Sequence, residues 1–138
     1  MQNIEAKKIY RVIDANFNRA KEGLRVCEDI CRFFLNTRKL TSEYKTVRHQ
    51  LSGLVEPLKI SEAIDARNIK RDVGKASVKT ELKRSGFKDI FYANSQRAKE
   101  SIRVLEEFMK LSSPREAQGM KRLRYKIYDL ERETVKKL

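Results

Sequence analysis

Apolar residues in the first quarter of the chain recur at alternating spacings of four and three positions. The series consists of Ile13, Phe17, Ala20, Leu24, Cys27, Cys31 and Phe34. Because this spacing places side chains on one face of an α-helix, we predict a long amphipathic helix from near Asn3 to near Asn36. Thr41 can cap a second helix, which ends near Pro57. Its apolar stripe consists of Tyr44, Val47, Leu51 and Leu54.

The last third of the chain shows the same helical spacing twice more. A third helix is predicted to open at Ser85, and its stripe consists of Phe91, Ser95, Ala98, Ile102, Leu105 and Met109. The sequence Ser113-Pro114-Arg115-Glu116 is typical of a helix start, with an N-cap Ser, Pro in the first turn and Glu three positions after the cap. A fourth helix follows to the C-terminus, with the stripe Met120, Leu123, Ile127 and Leu130.

The stretch from Glu56 to Arg84 carries no sustained apolar period, although a short helix fits residues 61–66. From Arg67 to Lys88 the chain holds eight basic residues and only two acidic ones, Asp72 and Glu81. A loop of this length inside a small domain is usually functional or disordered. We therefore predict a long basic central loop.

Residues 15–29 and 93–107 resemble each other, with nine of the fifteen positions identical at an offset of 78 residues. The second helices of the two halves are less similar in sequence. Lys45, Val47 and Arg48 correspond to Lys121, Leu123 and Arg124, respectively. The simplest explanation is a duplicated helical hairpin, with half-repeats of about 13–55 and 91–131. We predict an all-α four-helix bundle with an approximate two-fold axis, in a single domain of residues 1–138.

Composition narrows the class of partner. The chain has 138 residues, of which 40% are hydrophobic and 37% charged, and its formal net charge is +13. This excess of positive charge favours an anionic partner, and nucleic acid, an acidic membrane surface and phosphorylated metabolites all qualify. The first residues contain no apolar leader and no window approaches a membrane span, so we expect a cytoplasmic protein with no membrane insertion. Cys27 and Cys31 are expected to be buried thiols.

Most of the agreement between the halves is polar. The repeated set is Asn16, Arg19, Glu22, Arg25 and Glu28, matched by Asn94, Arg97, Glu100, Arg103 and Glu106. One interpretation is surface ion pairing along each helix, in which Glu22 reaches Arg25. Glu28 can likewise reach Arg32. The other is a ligand site, because an Asn beside an apolar stripe needs hydrogen-bond partners and the planar fork of Arg grips phosphate.

Other candidate chemistry is sparse. No glycine-rich phosphate-binding motif of the P-loop or dinucleotide type occurs, so side chains would have to hold any phosphate. Arg48 and Arg124 occupy matching positions in the halves and extend the Arg set. His49 is the only histidine, and no arrangement of nucleophile, His and acid can be argued. In the loop, Asp72 before Gly74 either offers a carboxylate to Mg²⁺ or marks an ordinary turn.

Five segments together resemble one small bacterial family. They read I-D-A-N-x-N-R-A-K-E-G-L-R-V-x-E-D, R-H, R-N-x-x-x-D-V-G, A-N-x-x-R-A-x-E-x-x-R-V-L-E-E and L-R-Y-K-I-Y-D-L-E. This is the compact hydroxymethylpyrimidine-phosphate kinase family of thiamin synthesis, whose domain also occurs fused ahead of thiamin-phosphate synthase. The resemblance spans Tyr10 to Glu131.

The resemblance implies a kinase-like domain that phosphorylates 4-amino-5-hydroxymethyl-2-methylpyrimidine monophosphate to the diphosphate with ATP and Mg²⁺. It also implies that the free alcohol is not a substrate. The loop reads Arg67-Asn68 where relatives often have Arg-Asp, which leaves Asp72 as the expected carboxylate and metal ligand. The predicted catalytic residues are Arg19, Arg97 and Asp72. The predicted substrate-binding residues are Asn16, Glu22, Arg25, Arg48, Arg67, Asn94, Glu100, Arg103 and Arg124.

Two other functions stay open on the sequence alone. The positive charge also suits a basic helical nucleic-acid-binding module, although the chain lacks a helix-turn-helix pattern and an aromatic platform. A different small helical enzyme that grips an anionic metabolite with Arg, such as a mutase, is the third hypothesis. A homo-oligomer with half-sites across a subunit interface is compatible with all three.

Overall fold

The computed structural model describes residues 3–59, 64 and 67–138. The described residues form four α-helices and no strand, which confirms the predicted all-α bundle. The helices are α1 (Asn3–Asp29), α2 (Arg38–Val55), α3 (Phe87–Met109) and α4 (Pro114–Val135). The short helix that fitted residues 61–66 lies outside the described residues except for Ile64. None of the helices in the described part of the chain is both long enough and apolar enough to span a membrane.

The first hairpin turns through a segment that helical periodicity did not predict. After Asp29 the chain continues as a π-helix over Ile30–Phe34, in which the Leu35 N–H donates to the Ile30 carbonyl at 3.0 Å. Asn36 then adopts a left-handed conformation with φ 51°. Asn tolerates this region better than most residues and so terminates the helix.

Three of the predicted helix starts differ from the structure in detail. Helix α3 begins at Phe87 with Gly86 at the N-cap, two residues after the predicted start at Ser85. Thr41 is wrong as a cap, because α2 begins one turn earlier at Arg38 and the Thr41 hydroxyl donates to the Thr37 carbonyl at 2.7 Å. Ser113 does stand at the N-cap of α4 with Pro114 next, but its side chain makes no capping hydrogen bond. Backbone shape and Pro, which has no N–H to satisfy, therefore set this helix start.

Helices α1 and α3 pack closely and run antiparallel. A Cβ at Gly23 would lie 2.8 Å from the Asn94 carbonyl oxygen, and the Cys27 thiol donates to the Phe91 carbonyl at 4.0 Å. Residues nearer the end of α1 therefore contact residues nearer the start of α3, as expected for antiparallel helices. Only a residue without a side chain allows the two backbones to approach this far at the crossing.

The core lies between the α1–α3 layer and the α2–α4 layer and draws apolar residues from all four helices. The fully buried residues include Leu24, Leu51, Ile102 and Ile127. Tyr44 is also fully buried, and its hydroxyl lies 3.5 Å from the Thr134 hydroxyl, which in turn donates to the Leu130 carbonyl at 2.7 Å. Each buried polar group thereby finds a partner, as an apolar interior requires.

The described residues between the two hairpins, within the range 56–86, form no long helix. A 3₁₀ turn follows α2 at Glu56–Leu58 and another covers Lys79–Leu82. Apolar side chains of this segment, such as those of Ile69 and Val73, are exposed rather than packed into the core. The predicted basic central loop is therefore a surface segment, and its position relative to α1 shapes the site described next.

Candidate functional site

A cleft of about 800 Å³ lies between the outer surface of α1 and the central loop. Helix α1 contributes Lys8, Arg11, Val12, Asp14, Ala15, Asn16, Asn18, Arg19 and Glu22, and the loop contributes Arg67, Asn68, Ile69 and Asp72. Five of the residues predicted from the sequence meet here: Asn16, Arg19, Glu22, Arg67 and Asp72. The loop thus completes a site that the helix alone could not enclose.

An ion pair joins the loop to the helix at this cleft. Arg67 donates from Nε to Asp14 Oδ2 at 2.6 Å and from Nη2 to Asp14 Oδ1 at 2.7 Å. Asp14 is buried, whereas the Arg67 side chain is 41% exposed. The paired carboxylate raises the pKa of Arg67, chiefly through these hydrogen bonds, so the guanidinium stays charged at any physiological pH.

Asn16 and Arg19 stand next to each other on the wall of the cleft. The Asn16 amide donates to the Val12 carbonyl of its own helix at 2.9 Å. Its Oδ1 accepts a long hydrogen bond, 3.5 Å, from Arg19 Nη1. Asn16 is nearly buried and Arg19 is exposed. The amide oxygen is therefore the atom of Asn16 that can accept from a ligand, while the exposed Arg19 guanidinium stays available to an anion.

Asp72 occupies a tight turn in the loop. Its Oδ1 accepts a hydrogen bond from the Gly74 N–H at 2.9 Å, which is an Asx turn of the kind the sequence also allowed. No group of three or more metal-ligating side chains comes together in the part of the chain that the structure describes. Mg²⁺ is usually held by one or two carboxylates together with substrate phosphates, and the cleft offers Asp72 and Glu22. The donor set therefore fits a metal that arrives with a nucleotide.

The second-half counterparts of these residues lie outside the lining of the cleft. Asn94 donates to the Ile90 carbonyl at 2.8 Å, as Asn16 does to Val12, and Arg97 and Glu100 are exposed on α3. Arg19 precedes Gly23 by one turn, and Arg97 follows Asn94 by about one turn. Because α1 and α3 are antiparallel and meet at Gly23 and Asn94, Arg19 and Arg97 stand at the same level of neighbouring helices.

The other repeated residues form two matching clusters of ion pairs. In the first half, buried Glu28 accepts from Arg48 Nε at 3.1 Å and lies 3.8 Å from Arg25 Nη1. In the second half, buried Glu106 accepts from Arg124 Nε at 3.0 Å and from Arg103 Nη1 at 3.3 Å.

Each cluster ties the two helices of one hairpin together, and neither lines the cleft. The expected pairs of Glu22 with Arg25 and Glu28 with Arg32 are not the ones the structure shows. These ion pairs account, without a ligand, for the repetition of Arg25, Glu28 and Arg48 as Arg103, Glu106 and Arg124. The predicted ligand roles of Arg25, Arg48, Arg103 and Arg124 stay predictions.

Residues 11–133, nearly the whole chain, match the ThiD2 family. The chain belongs to the ThiD2 family. Its cleft residues from Arg11 to Asp72 and its two ion-pair clusters all fall within the matched region. No solved structure matches this ThiD2 chain significantly.

Curated relatives of this ThiD2 chain carry the name thiamine-phosphate synthase. The protein of Nostoc punctiforme is 40% identical over 124 residues, which are 89% of the chain and 34% of the relative. That of Synechocystis sp. is 39% identical over 132 residues, 95% of the chain and 37% of the relative. That of Rhodopirellula baltica is 34% identical over 139 residues, 100% of the chain and 37% of the relative.

The ThiD2 chain thus spans about a third of the length of these relatives. The link to thiamin-phosphate synthase that the resemblance implied is confirmed at the level of the family. The relatives' name does not mention a kinase, so the kinase activity stays a prediction.

Sequence reasoning missed five polar residues of the cleft: Lys8, Arg11, Asp14, Asn18 and Asn68. Asp14 could have been recognised as a candidate from the sequence. It is a carboxylate directly beside the apolar position Ile13, and its counterpart in the second half is Tyr92 rather than an acidic residue. A charged residue that departs from a repeat at the edge of a core is a candidate for a function of one half only. Lys8 and Arg11 precede the repeated block and gave no such signal.

Proposed function

We propose that this chain phosphorylates 4-amino-5-hydroxymethyl-2-methylpyrimidine monophosphate to the diphosphate with ATP, as a step of thiamin biosynthesis. The observation that carries the proposal is the cleft, in which predicted site residues of α1 and of the loop meet although they are more than 40 positions apart. The shared ancestry with thiamine-phosphate synthases supports the pathway.

The chemistry suits a site built from Arg and Lys. The acceptor is a phosphate monoester with a second pKa of about 6, so its oxygen is already ionised at neutral pH and needs no strong general base. The main obstacle is the repulsion between two polyanions. Lys8, Arg11, Arg19 and Arg67 border the cleft and would screen that repulsion. Of these, Lys8, Arg11 and Arg19 would also stabilise the transferring phosphoryl group.

Individual roles follow from the geometry of the cleft. Arg19 is exposed and would hold a phosphate, with Arg97 at the same level of α3 as a second anion contact. The amide oxygen of Asn16 would accept from the exocyclic amine of the pyrimidine, since its NH₂ group already donates to Val12. Asp72, with Glu22, would hold Mg²⁺, which supplies charge neutralisation on the nucleotide phosphates.

The same arrangement would select the monophosphate over the free alcohol. A site that pairs its cations with the acceptor's phosphate leaves those cations unpaired when the phosphate is missing. The alcohol would also require a base to remove its proton, and no histidine lines the cleft among the described residues. We therefore expect turnover of the monophosphate only.

The direct test is incubation of the purified chain with ATP, Mg²⁺ and the pyrimidine monophosphate, followed by chromatography or ³¹P NMR of the products. Formation of the diphosphate and ADP supports the proposal. Absence of the diphosphate, together with tight oligonucleotide binding that falls steeply with salt, would instead favour the nucleic-acid-binding hypothesis.

Arg19 supplies the sharpest variant. Replacement of Arg19 by Ala removes an exposed cation of the cleft that forms no ion pair with the described residues, so we expect kcat/KM to fall by about 10²–10³ while the far-ultraviolet circular dichroism is unchanged. Arg97→Ala is expected to lower turnover as well. Arg132→Ala on the exposed face of α4 is the matched control and should behave as wild type. Near-normal activity in the Arg19 and Arg97 double variant would refute the assignment.

A further inference from the structure

The pair of Asp14 and Arg67 stands outside the duplicated pattern of the bundle. At the offset of 78 residues, Asp14 corresponds to Tyr92 and Asn18 to Gln96. The second half therefore has neither the carboxylate nor its Asn neighbour, and a helix of the same kind packs without them. A carboxylate that is only 5% exposed, yet has no counterpart in the repeat, serves something that the first half alone has.

The hydrogen bonds of Asp14 show what it holds. Arg67 donates to both of its oxygens, and Asn18 Nδ2 donates to Oδ1 at 3.2 Å. With three N–H donors on one carboxylate, Asp14 is committed to its neighbours and is not placed to act as a base or as a metal ligand. Its partner Arg67 is the residue that reaches the cleft.

The guanidinium of Arg67 has two usable edges, and Asp14 takes one of them. Nε and Nη2 donate to Asp14, which leaves one N–H of Nη1 and the second N–H of Nη2 side by side on the adjacent edge. The Arg67 side chain is 41% exposed and lines the cleft. An Arg edge of this type matches two phosphate oxygens.

We propose that Asp14 is a positioning residue that fixes Arg67 on the wall of the cleft, so that the second edge of its guanidinium binds the phosphate of the acceptor. This inference rests on the proposed function. Because Arg67 belongs to the loop, the same pair also fixes the loop against α1. A cation held in place before the ligand arrives loses less conformational entropy on binding than a mobile one.

An ion pair that only held the loop against α1 would look the same in the structure. A double-mutant cycle on Asp14 and Arg67, measured by enzyme kinetics, distinguishes the two roles. If Asp14 acts only through Arg67, removing both residues should be no worse than removing either one. If the pair only holds the loop in place, its loss should not change recognition of the acceptor's phosphate. Measurement of KM for the pyrimidine monophosphate, apart from kcat, separates the two cases.

The experiment compares Asp14→Asn, Arg67→Lys and the double variant with wild type, with Asp129→Asn on the exposed surface of α4 as the matched control. We expect each single variant to raise KM for the monophosphate by roughly tenfold and to change kcat by less than about threefold. The double variant is expected to match the singles within about threefold. Asp14→Glu keeps the carboxylate and should recover most of the wild-type KM.

Limited trypsin digestion without ligand gives a second readout that does not need activity. Trypsin cleaves after the exposed loop residues Lys70, Arg71 and Lys75, and Asp14→Asn should speed this cleavage several-fold relative to Asp129→Asn. An active wild type with an unchanged KM in Asp14→Asn would overturn the inference, as would effects that multiply in the double variant. A wild type that forms no diphosphate overturns the proposed function as well, and the trypsin result then still tells whether the pair holds the loop.

Discussion

The two buried glutamates of the ion-pair clusters allow the repeated polar residues to be tested as structural elements. Glu106 is 3% exposed and accepts from Arg124 and Arg103, whereas its neighbour Glu107 is exposed and pairs with Arg103 and Lys110. Glu106→Gln and Glu107→Gln are the same chemical change at adjacent positions of one helix, and they share Arg103 as a partner. They differ in burial and in the contact with α4.

The expected loss follows from what Gln leaves behind at position 106. Removing one partner of a fully buried pair costs about 3–5 kcal/mol, and a hydrogen bond to a charged group contributes about 1.5–3 kcal/mol. The Arg124 side chain is 13% exposed and Gln keeps one carbonyl oxygen to accept from it, so the lower range applies. We expect Glu106→Gln to lower the free energy of unfolding by about 2 kcal/mol, which for a chain of this size is roughly 6–10 °C in Tm.

Urea denaturation and thermal melting, both followed by circular dichroism at 222 nm, measure the difference. Glu107→Gln should leave both midpoints near those of wild type, because an exposed pair contributes little. Equal midpoints for the two variants would refute the structural interpretation of the cluster. A loss of acceptor affinity in Glu106→Gln with unchanged stability would restore the ligand interpretation of the repeated arginines.

Two further predictions concern packing and thiol chemistry. Gly23→Ala is expected to destabilise the bundle by about 1–3 kcal/mol, because the new methyl group meets the Asn94 carbonyl. Gly53→Ala meets nothing within 4 Å and should stabilise α2 by about 0.5–1 kcal/mol; urea midpoints that shift in the same direction would contradict this pair of predictions. Burial raises the pKa of the Cys27 and Cys31 thiols, so little thiolate forms at neutral pH, and both should react with a thiol reagent only after urea unfolding. Fast labelling of the native protein would show that this region opens.

The helices were predictable because apolar periodicity and helix signals are local. The stripe from Ile13 to Cys31 packs in or against the core, and α4 starts at Ser113-Pro114 as predicted, whereas Phe34 at the end of the stripe is 62% exposed. The π-helix at Ile30–Phe34 was not predictable in this way, because π-helices are rare and the spacing of three from Cys31 to Phe34 fits an ordinary α-helix. The start of α2 was misplaced because Thr37 and Thr41 are both capable caps, and the left-handed Asn36 directly before Thr37 was not recognised as the end of the preceding segment.

The candidate site was predictable only in part. Asn16, Arg19 and Glu22 were found through the repeat, Asp72 through its place before Gly74 in the basic loop, and Arg67 through that loop and the family resemblance. The pairing of Arg67 with Asp14 joins positions 53 residues apart and depends on the path of the loop, which no local pattern specifies. The partners of Glu28 and Glu106 were missed for the same reason, because the nearest Arg in space lies on the next helix rather than one turn away.

Because the loop lies between two hairpins, its length and sequence can change during evolution with little effect on the bundle. Each hairpin closes through its own short turn, and among the described residues of the range 56–86 only Leu58 packs against the core. The entropy of joining the hairpins grows only slowly with the length of that connection, and doubling it would cost about 0.6 kcal/mol. Insertions and deletions in the connection can therefore alter the wall of the cleft, and what it accepts, while the bundle that carries it keeps nearly all of its stability.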